Sequence, residues 1–426
     1  MDVTKLAQDA LTRFSELGNT LSEKIGEAAR AIRDFLHQLG AQMLELHLAG
    51  KKLGYEGSSR ACSCGKNQKF IQYRPRTLAT SLGQVCYKRA YYHCSACGKS
   101  CCPYDQECGL GKSQISDEFA SMATLLAVHD PFQPSSQILR RLAGHGLDES
   151  TIQRLTRVVG AKAAVDEKKL ALRMAVWDAP PAIAKPKRLY VAVDATTIHL
   201  KDGWHDVKCV VCWWEDEKNK RGRKQRRCMV RRETAEEFKA FVWALACQCG
   251  LATAVEVVLL GDGAAWIWDH MAGILGERTI CMAVPEPMET EHLWTCAKTL
   301  FGEGTETAKA WERKLEDLLW EGKTVQLLEL LTQEQKTRRG GKRTAIAALI
   351  TYLKNQGDRL KYAEFRERGL DIGSGRVEAM CKQVGTRMKR SGMRWSEDGA
   401  QAVLSLRSVW LNGQWDQFWT TKPMAA

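Results

Sequence analysis

The chain has 426 residues, of which 44% are hydrophobic and 27% are charged. These are globular values that exclude bulk disorder, and a chain of this length predicts roughly two to four domains. The net charge of +13 favours a polyanionic partner, because neutralising phosphates releases counterions. No apolar run approaches the roughly 20 residues of a membrane span, and the N-terminus MDVTKLAQDALTRF lacks a signal-peptide core. We therefore expect a cytoplasmic protein with no membrane partner.

Residues 1–57 are predicted to be helical. Apolar residues recur at mostly helical intervals from Leu6 to Leu46, interrupted only by three glycines. This pattern predicts one long helix or two stacked helices. Its apolar stripe is more typical of a core or dimerisation face than of a binding surface.

Residues 58–112 contain two close cysteine pairs, each followed by a glycine, on either side of a pattern of short strands. A zinc ribbon holds four thiolates in a tetrahedron in this way, and it leaves no open position for catalysis. The sequence predicts structural Zn²⁺ here, with free thiols as the alternative. The predicted ligands are Cys62, Cys64, Cys94 and Cys97. Four other cysteines are possible substitutes for the tighter first pair: Cys86, Cys101, Cys102 and Cys108.

Residues 113–170 predict three short helices, with the turn GHGLDES before the last one. The last helix is predicted to be capped by Ser150 and to present Gln153, Arg154 and Arg157. This pattern predicts a DNA-binding helix-turn-helix, although a structural three-helix bundle would have a similar sequence. Residues 171–188 end in APPAIAKPKR and predict a linker.

Residues 189–287 alternate strand and helix patterns, which indicates an α/β layer. One strand is predicted to end at Asp194 and a neighbouring strand at Asp262, so that both carboxylates lie at the sheet edge. The basic run at 218–227 predicts a hairpin. Residues 288–370 lack strand patterns and predict an all-α insertion, whose basic stretch 336–343 is either a loop facing DNA or a solvated loop.

The stretch DIGSGRVEAMCKQVGTRMKRSGMR, residues 371–394, predicts a helix with one apolar stripe. The residues of this stripe are Val377, Met380, Cys381, Val384 and Met388. The stretch places Glu378 among six Lys and Arg residues. Either Glu378 pairs with Lys382 at i+4, or it is a metal ligand beside a nucleic acid. Asp194 and Asp262 favour the ligand, because hard cations such as Mg²⁺ take oxygen ligands. The cations predicted to contact the DNA backbone are Lys382, Arg387, Lys389, Arg390 and Arg394.

Four motifs, YVAVDATTIHLKDGWHDVK, VLLGDGAAWIWD, EHLWTCAKTLFGEG and IGSGRVEAMCKQVGTRMKRSGMRWSEDGA, together resemble bacterial insertion-sequence transposases of the DDE type over most of residues 60–410. The resemblance implies a multidomain α+β protein with an RNase H-like α/β catalytic domain, residues 189–287 and 371–412, interrupted by the all-α insertion. An N-terminal helix, a zinc ribbon and a helix-turn-helix precede it. The resemblance also implies that Asp194, Asp262 and Glu378 are the catalytic triad, holding two Mg²⁺ or Mn²⁺ ions.

By this resemblance the protein binds the terminal inverted repeats of its element, cuts DNA and joins the 3′-hydroxyl to target DNA as a homo-oligomer at the bacterial nucleoid. His292 is either a supporting group near the site or a structural histidine. The sequence TICMAVPEPMETEHLW lacks the Tyr-His or Phe-His pair expected before Glu291. One alternative is therefore a catalytically inactive, transposase-derived DNA-binding regulator. A third class is an RNase H-like nuclease that cuts without joining.

Overall fold

The computed structural model describes residues 3–51, 53–107, 110, 113–214, 225–284, 287–373 and 375–421, with backbone alone at 287–291. The chain divides into two compact units, Met1–Val159 with Gly413–Ala426, and Gly160–Asn412. The described residues combine many helices with two sheets, so the predicted mixed α/β, multidomain class is confirmed. Over those residues, no helix is both long enough and apolar enough to cross a membrane.

The first unit begins with two helices, α1 (Val3–Thr20) and α2 (Ile25–Ala49). They contact each other through Arg13, which donates to the Gln38 side chain at 2.6 Å. The α2 helix also packs on the following sheet, since the Glu45 carboxylate accepts from the Cys86 backbone N–H at 2.6 Å. Apolar side chains such as Leu11 and Ile25 remain exposed. Dimerisation through these helices stays a prediction.

The sheet of the first unit is antiparallel, in the order β1-β2-β3-β4. Its strands are β1 (Ser59–Ala61), β2 (Asn67–Thr80), β3 (Gly83–His93) and β4 (Ser100–Cys101). The short helix α3 (Pro103–Glu107) is held to it by Asp105, which pairs with Arg76 at 2.7 Å and with Arg89 at 3.0 Å.

Three helices follow: α4 (Asp117–His129), α5 (Phe132–Ala143) and α6 (Glu149–Leu172). Gly144, in the left-handed conformation, ends α5. The predicted cap of α6 is wrong by two residues. The Asp148 carboxylate accepts from the Thr151 backbone N–H at 2.9 Å and from the Ser150 hydroxyl. Asp148 directly precedes the helix, where a charged acceptor caps the free N–H groups, whereas Ser150 is already inside the helix.

Helix α6 and a 3₁₀ turn, Arg173–Val176, occupy the start of the predicted linker. Residues 161–176 are rich in helix-forming Ala, Lys and Leu and contain no proline or glycine, so nothing ends the helix before this point. The extended part of the predicted linker therefore begins only near Trp177.

The second unit contains a five-stranded sheet in the order β7-β6-β5-β8-β9. The strands are β5 (Arg188–Leu200), β6 (Gly203–Trp214), β7 (Gln225–Arg231), β8 (Glu256–Gly261) and β9 (Ile280–Ala283). Strands β5, β6 and β7 are antiparallel neighbours, whereas β8 runs parallel to both β5 and β9. Most of the predicted basic hairpin at 218–227 lies outside the described residues.

Two helices alternate with the last strands, α7 (Ala235–Gln248) and α8 (Ala265–Leu275). Between β9 and residue 371 the described residues form helices joined by short turns, with no strand. The helices are α9 (Pro287–Phe301), α10 (Glu306–Trp320), α11 (Thr324–Thr337), α12 (Gly340–Gln356) and α13 (Tyr362–Glu367). Pro287 is the first residue of α9, a position that favours proline. Residues 285 and 286 of the divergent stretch lie outside the described residues.

The basic stretch 336–343 is not the loop that the sequence predicts. Only residues 338 and 339 separate α11 from α12. Arg338 pairs with Glu334 at 2.7 Å, and Lys342 donates to the Leu300 carbonyl at 2.7 Å. These contacts commit two of its cations to the helical insertion.

The chain ends with α14 (Gly375–Met388), α15 (Glu397–Leu411) and α16 (Trp415–Thr421). Helix α14 packs on β5 and β6 through Val377, Met380, Val384 and Met388, which are buried. Helix α15 packs against α6 so closely that a Cβ on Gly160 would lie 2.4 Å from the Ala402 carbonyl oxygen. Only glycine permits that approach.

Candidate metal and nucleic-acid sites

Four sulfurs of the first unit converge at one end of the β2–β3 hairpin. The Sγ atoms of Cys62, Cys64, Cys94 and Cys97 all lie within 4.8 Å of one another. Cys62 and Cys97 are 3.6 Å apart, and Cys64 and Cys94 are 3.7 Å apart. A tetrahedral metal with bonds of about 2.3 Å to sulfur places its ligands about 3.8 Å apart, so the geometry fits such an ion.

The backbone bonds of two tight turns build this cluster. The Gly65 N–H donates to the Cys62 carbonyl, and the Gly98 N–H donates to the Cys94 carbonyl. Both glycines have positive φ, 80° and 72°, which explains the glycine after each pair. Of the substitute ligands, Cys101 instead donates to the Gln68 side chain at 3.1 Å. Cys108 lies outside the described residues.

Crowding gives two of the thiols, Cys62 and Cys97, pKa values shifted in opposite directions. The backbone N–H of Cys64 and the neighbouring thiols lower the pKa of Cys62 to about 7. Although the backbone N–H of Lys99 acts to lower the pKa of Cys97, desolvation and the other three sulfurs raise it to about 12. The first thiolate therefore forms easily, and the last needs a cation to compensate for its neighbours.

Asp194 lies within β5, opposite Cys209 of β6, and not at the end of a strand as the sequence predicts. The residues after it continue as an antiparallel hairpin through Leu200. The parallel pairing of β5 with β8, however, stops at Ala192 and Leu260. Asp194 therefore lies just past the last parallel pair, at the edge where β8 ends.

Asp262 follows β8 directly, in a half-buried turn whose geometry depends on the next residue. Its carboxylate accepts from the Ala264 backbone N–H at 3.1 Å. Gly263 has a φ of +85°, and a Cβ there would lie 2.7 Å from the Tyr352 hydroxyl oxygen. Gln356 of α12 donates to the Gly263 carbonyl at 2.9 Å. The helical insertion thus holds the turn that carries Asp262.

Glu378 is in the first turn of α14. The segment that leads into this helix is fixed to the sheet by Asp371, which accepts from the Trp213 indole at 3.2 Å and donates its backbone N–H to the Tyr190 hydroxyl at 3.1 Å. Glu378 also lies 3.7 Å from Lys382, whose side chain is 80% exposed. Such an exposed pair is weak, so the i+4 contact does not compete with a metal-binding role.

The three carboxylates share one electrostatic environment. Burial raises the pKa of Asp194, and the negative charges of Asp262 and Glu378 raise it further. Among the described residues, however, only the four cysteines bring at least three possible ligand atoms within 4.8 Å of one another. The carboxylates are therefore close enough to interact, but their oxygens do not all lie within 4.8 Å of one another. This arrangement fits hard cations between them, because carboxylate oxygens are the ligands that such ions take.

A thiol at this site was missed by the sequence analysis, which assigned it to the apolar stripe. Cys381 donates to the Asp194 carboxylate at 3.2 Å. Its hydrogen bond with Cys209, its burial and the charge of Asp194 all raise the pKa of Cys381. It therefore stays protonated and fixes one oxygen of Asp194. The available signal was its position three residues after Glu378, one turn along the same helix.

Arg387 requires a correction among the predicted DNA contacts. Its side chain is fully buried, with its guanidinium 4.8 Å from the centroid of the Trp395 ring. It continues the buried stripe three residues after Val384, which is why it faces the core and not DNA. Lys382, Lys389, Arg390 and Arg394 are exposed. Lys389 donates to the Thr196 hydroxyl at 2.6 Å, beside the strand that carries Asp194.

The predicted recognition residues of α6, Gln153, Arg154 and Arg157, are all exposed. His292 is also exposed and stacks on Tyr352, with ring centroids 4.2 Å apart. Tyr352 is the residue whose hydroxyl faces Gly263. His292 therefore contacts the support of the Asp262 turn.

These observations define a mixed α/β protein with a four-thiol cluster in one unit and a group of three carboxylates in the other. The family model described as uncharacterised protein family UPF0236 matches residues 64–419, and the chain belongs to this family. It is also similar to a Streptococcus gallolyticus protein described as "UPF0236 protein in vanSb 3'region". The two are 23% identical over 358 residues, which cover 81% of this chain and 74% of that protein.

Proposed function

We propose that this protein is a DDE-type DNA transposase, which binds the terminal inverted repeats of an insertion sequence, cuts DNA and transfers the cut strand. The observation that carries the proposal is the convergence of three carboxylates. Asp194 lies just past the parallel pairing of β5 with β8, and Asp262 follows β8 directly. Cys381, one turn from Glu378, donates to Asp194. In this arrangement the charges of Asp262 and Glu378 help to raise the pKa of Asp194. These residues are separated by 68 and 116 positions in the sequence (262 − 194 and 378 − 262). Like charges gathered at a half-buried sheet edge raise the free energy of the fold, and function is the usual reason that such a group persists.

The architecture of the second unit supports an RNase H-like catalytic domain. One mixed sheet carries Asp194 on its central strand β5 and Asp262 directly after the adjacent parallel strand β8. A segment that is helical where described, α9 to α13, separates this part of the chain from Glu378 on α14. The resemblance to DDE transposases implies this arrangement, with its helical insertion between the second Asp and the Glu.

Asp194, Asp262 and Glu378 would hold Mg²⁺ or Mn²⁺. Two such ions, when bound, activate the attacking oxygen and stabilise the leaving oxygen in phosphoryl transfer. The chain's own residues prepare the site for this chemistry. Cys381 orients one oxygen of Asp194, Gln356 holds the Asp262 turn, and Asp371 fixes the start of the Glu378 helix.

The exposed cations near the carboxylates support DNA as the substrate. Lys382, Lys389, Arg390 and Arg394 are on or directly after the helix that carries Glu378. They place positive charge where phosphates would approach the carboxylates. In the first unit, the Gln153, Arg154 and Arg157 side chains extend from one exposed face of α6, which suits a helix-turn-helix that binds the terminal repeats.

Zinc is the metal that we propose for the four-thiol cluster. Four thiolates at tetrahedral separations match a closed structural zinc site, and hard cations such as Mg²⁺ do not take this ligand set. A zinc ribbon there would stabilise the end of the β2–β3 hairpin. It would take no part in the phosphoryl chemistry.

The experiment uses labelled DNA that carries the sequences flanking the gene, incubated with the protein and Mg²⁺ or Mn²⁺. We expect cleaved and joined products for the wild type and a loss of roughly 10³-fold or more for Asp194→Asn and Glu378→Gln, because each removes a charged metal ligand. Glu367→Gln is the matched control, since Glu367 is an exposed carboxylate on α13 of the same unit. Equal activity in wild type and Asp194→Asn would refute the assignment.

Two other outcomes identify the alternatives. Specific binding to the flanking DNA with no cleavage at any Mg²⁺ or Mn²⁺ concentration would identify the inactive regulator. Cleavage without joined products would identify an RNase H-like nuclease. Both outcomes contradict strand transfer by this protein.

A further inference from the structure

The turn end of the β5–β6 hairpin carries an aromatic pair, of which one ring is exposed and the other half-buried. His199 of β5 and Trp204 of β6 are directly opposite in the strand register. Their ring centroids are 5.1 Å apart with an interplanar angle of 64°. Trp204 is 64% exposed, although a tryptophan normally buries most of its surface. The fold itself gives this indole little to pack against.

The segment that follows α14 forms the other wall of a pocket of about 310 Å³ beside Trp204. This segment is fixed in place by backbone bonds. The Trp395 N–H donates to the His199 carbonyl at 3.1 Å, and the Lys201 N–H donates to the Trp395 carbonyl at 3.0 Å. Gly392 takes the left-handed conformation that its turn requires, with φ of +78°. The pocket is therefore formed before any ligand arrives.

The lining of the pocket combines an aromatic surface with positive charge. Lys389, Arg390 and Arg394 contribute three cations, and among the described residues no acidic side chain lines the pocket. The Lys389 ammonium contacts Thr196, which is two residues beyond Asp194 on the same face of β5. Two residues of a strand span about 7 Å. Strand β5 and Lys389 thus connect the pocket to the carboxylate site.

We propose that this pocket binds one unpaired nucleobase of the DNA beside the scissile phosphate, with Trp204 stacking on the base and the three cations on the adjoining phosphates. The proposal rests on the proposed function, since it takes DNA to be the substrate of the carboxylate site. A base within a duplex has both faces stacked on its neighbours, so an aromatic side chain reaches it only when the base has left the helix. Stacking on an aromatic residue tolerates any base, because every base has a π-face.

The test measures binding without catalysis. Fluorescence anisotropy in EDTA compares a fluorescein-labelled dT 12-mer with an abasic 12-mer of the same phosphate count. We expect Trp204→Ala to weaken dT 12-mer binding roughly 5- to 100-fold, the usual range for one lost stacking contact, and to leave abasic 12-mer binding unchanged. Trp204→Phe should restore most of the affinity. Lys389→Ala should weaken both complexes, because it removes a phosphate contact.

Trp177→Ala is the matched control, since Trp177 is also 64% exposed in the same unit. It should leave both affinities unchanged. Equal binding of the dT 12-mer by wild type and Trp204→Ala, or equal losses for both 12-mers, would overturn the base pocket. Neither result depends on metal or cleavage. The base pocket can therefore be refuted while the cleavage assay supports the proposed function, and it can be supported when the cleavage assay does not.

Discussion

The four-thiol cluster and the carboxylate group are both candidate metal sites, but they differ in how close together their ligand atoms lie. The sulfurs already stand at separations of 3.6 and 3.7 Å, whereas the three carboxylates do not bring their oxygens within 4.8 Å of one another. Thiols can be neutral, so they approach without a cation. Carboxylates are charged at neutral pH and repel each other until a cation lies between them.

The difference indicates two uses of metal. A preassembled cluster at a hairpin end adds stability to the fold when an ion binds. A group of neighbouring carboxylates lowers stability until cations bind between them, because like charges disfavour one another's ionised forms. Removing a ligand should therefore have opposite effects on stability in the two units.

The largest expected effect comes from the thiol cluster. Cys94→Ser should abolish metal binding at this site and lower the free energy of unfolding of the first unit by several kcal/mol, because structural zinc contributes folding energy directly. Metal analysis and thermal unfolding measure this. Cys86→Ser is the control, since Cys86 is an exposed thiol outside the cluster. Full zinc content in Cys94→Ser would refute the four-thiolate assignment.

A structural carboxylate in the second unit sharpens the contrast. Glu167 is buried, which raises its pKa, and it is compensated by Arg231 at 2.8 Å and by the Ser405 hydroxyl at 2.6 Å. Arg231→Met leaves this acid without its cation and should cost about 3–5 kcal/mol of unfolding free energy.

The neighbouring residue supplies the control for that measurement. Arg232 pairs with Glu397, whose side chain is 69% exposed, so Arg232→Met should cost less than about 1 kcal/mol. Denaturant unfolding of both variants decides the matter. Equal losses of unfolding free energy in Arg231→Met and Arg232→Met would show that the buried pair with Glu167 does not contribute more than an exposed one.

The Cys381 thiol should matter for metal affinity more than for stability. Cys381→Ala removes the hydrogen bond that orients Asp194, and loss of such a support typically lowers metal affinity about 10- to 100-fold. Titration with Mn²⁺ measures this, with Cys296→Ala as the control, since Cys296 is buried in the insertion helix α9. Cys381→Ser should recover most of the affinity, because a hydroxyl also donates. Unchanged affinity in Cys381→Ala would show that the thiol only fills space.

The smallest effect is the pH dependence of Asp194. Because the folded-state pKa of Asp194 is raised, mainly by burial, its ionised form costs free energy at neutral pH. This cost disappears as pH falls through the raised pKa. In EDTA, Asp194→Asn should therefore be at least as stable as wild type at pH 7, and its advantage should shrink on acidification.

Thermal unfolding of both proteins between pH 4 and 7 tests this. The range lies above the usual pKa of an aspartate because the pKa of Asp194 is raised. Divalent cation should reverse the order at pH 7, since binding stabilises only the wild type. An advantage for Asp194→Asn that grows on acidification would contradict the raised pKa.

The sequence predicted those parts of the fold that depend on local patterns. The cysteine spacing identified the residues that converge, and the apolar stripe placed a helix within the stretch 371–394, where α14 spans Gly375–Met388. The extent of one strand was missed. Asp194 lies inside a strand because the residues after it pair with β6. The local signal for that hairpin, Asp202-Gly203 after the alternating apolar residues Ile198 and Leu200, was present in the sequence but was not used.

Side-chain direction was the second source of error. Arg387 is a cation of the kind that contacts DNA, but it lies on the buried face of its helix, and this place on the helix decided its burial. The pocket beside Trp204 escaped sequence reasoning for a similar reason. It joins a hairpin with a segment almost 190 residues later in the chain (394 − 204 = 190), and nothing in either segment points to the other.

The bond from Gln356 to the carbonyl of Gly263 spans 93 positions of sequence. Through this bond, the helical insertion stabilises the turn that carries Asp262. If the proposed function holds, a substitution at Gln356 or Tyr352 is expected to lower activity, even though neither side chain is one of the three proposed metal-binding carboxylates. Genetic screens for lost activity should accordingly return residues of α12 together with the three acids.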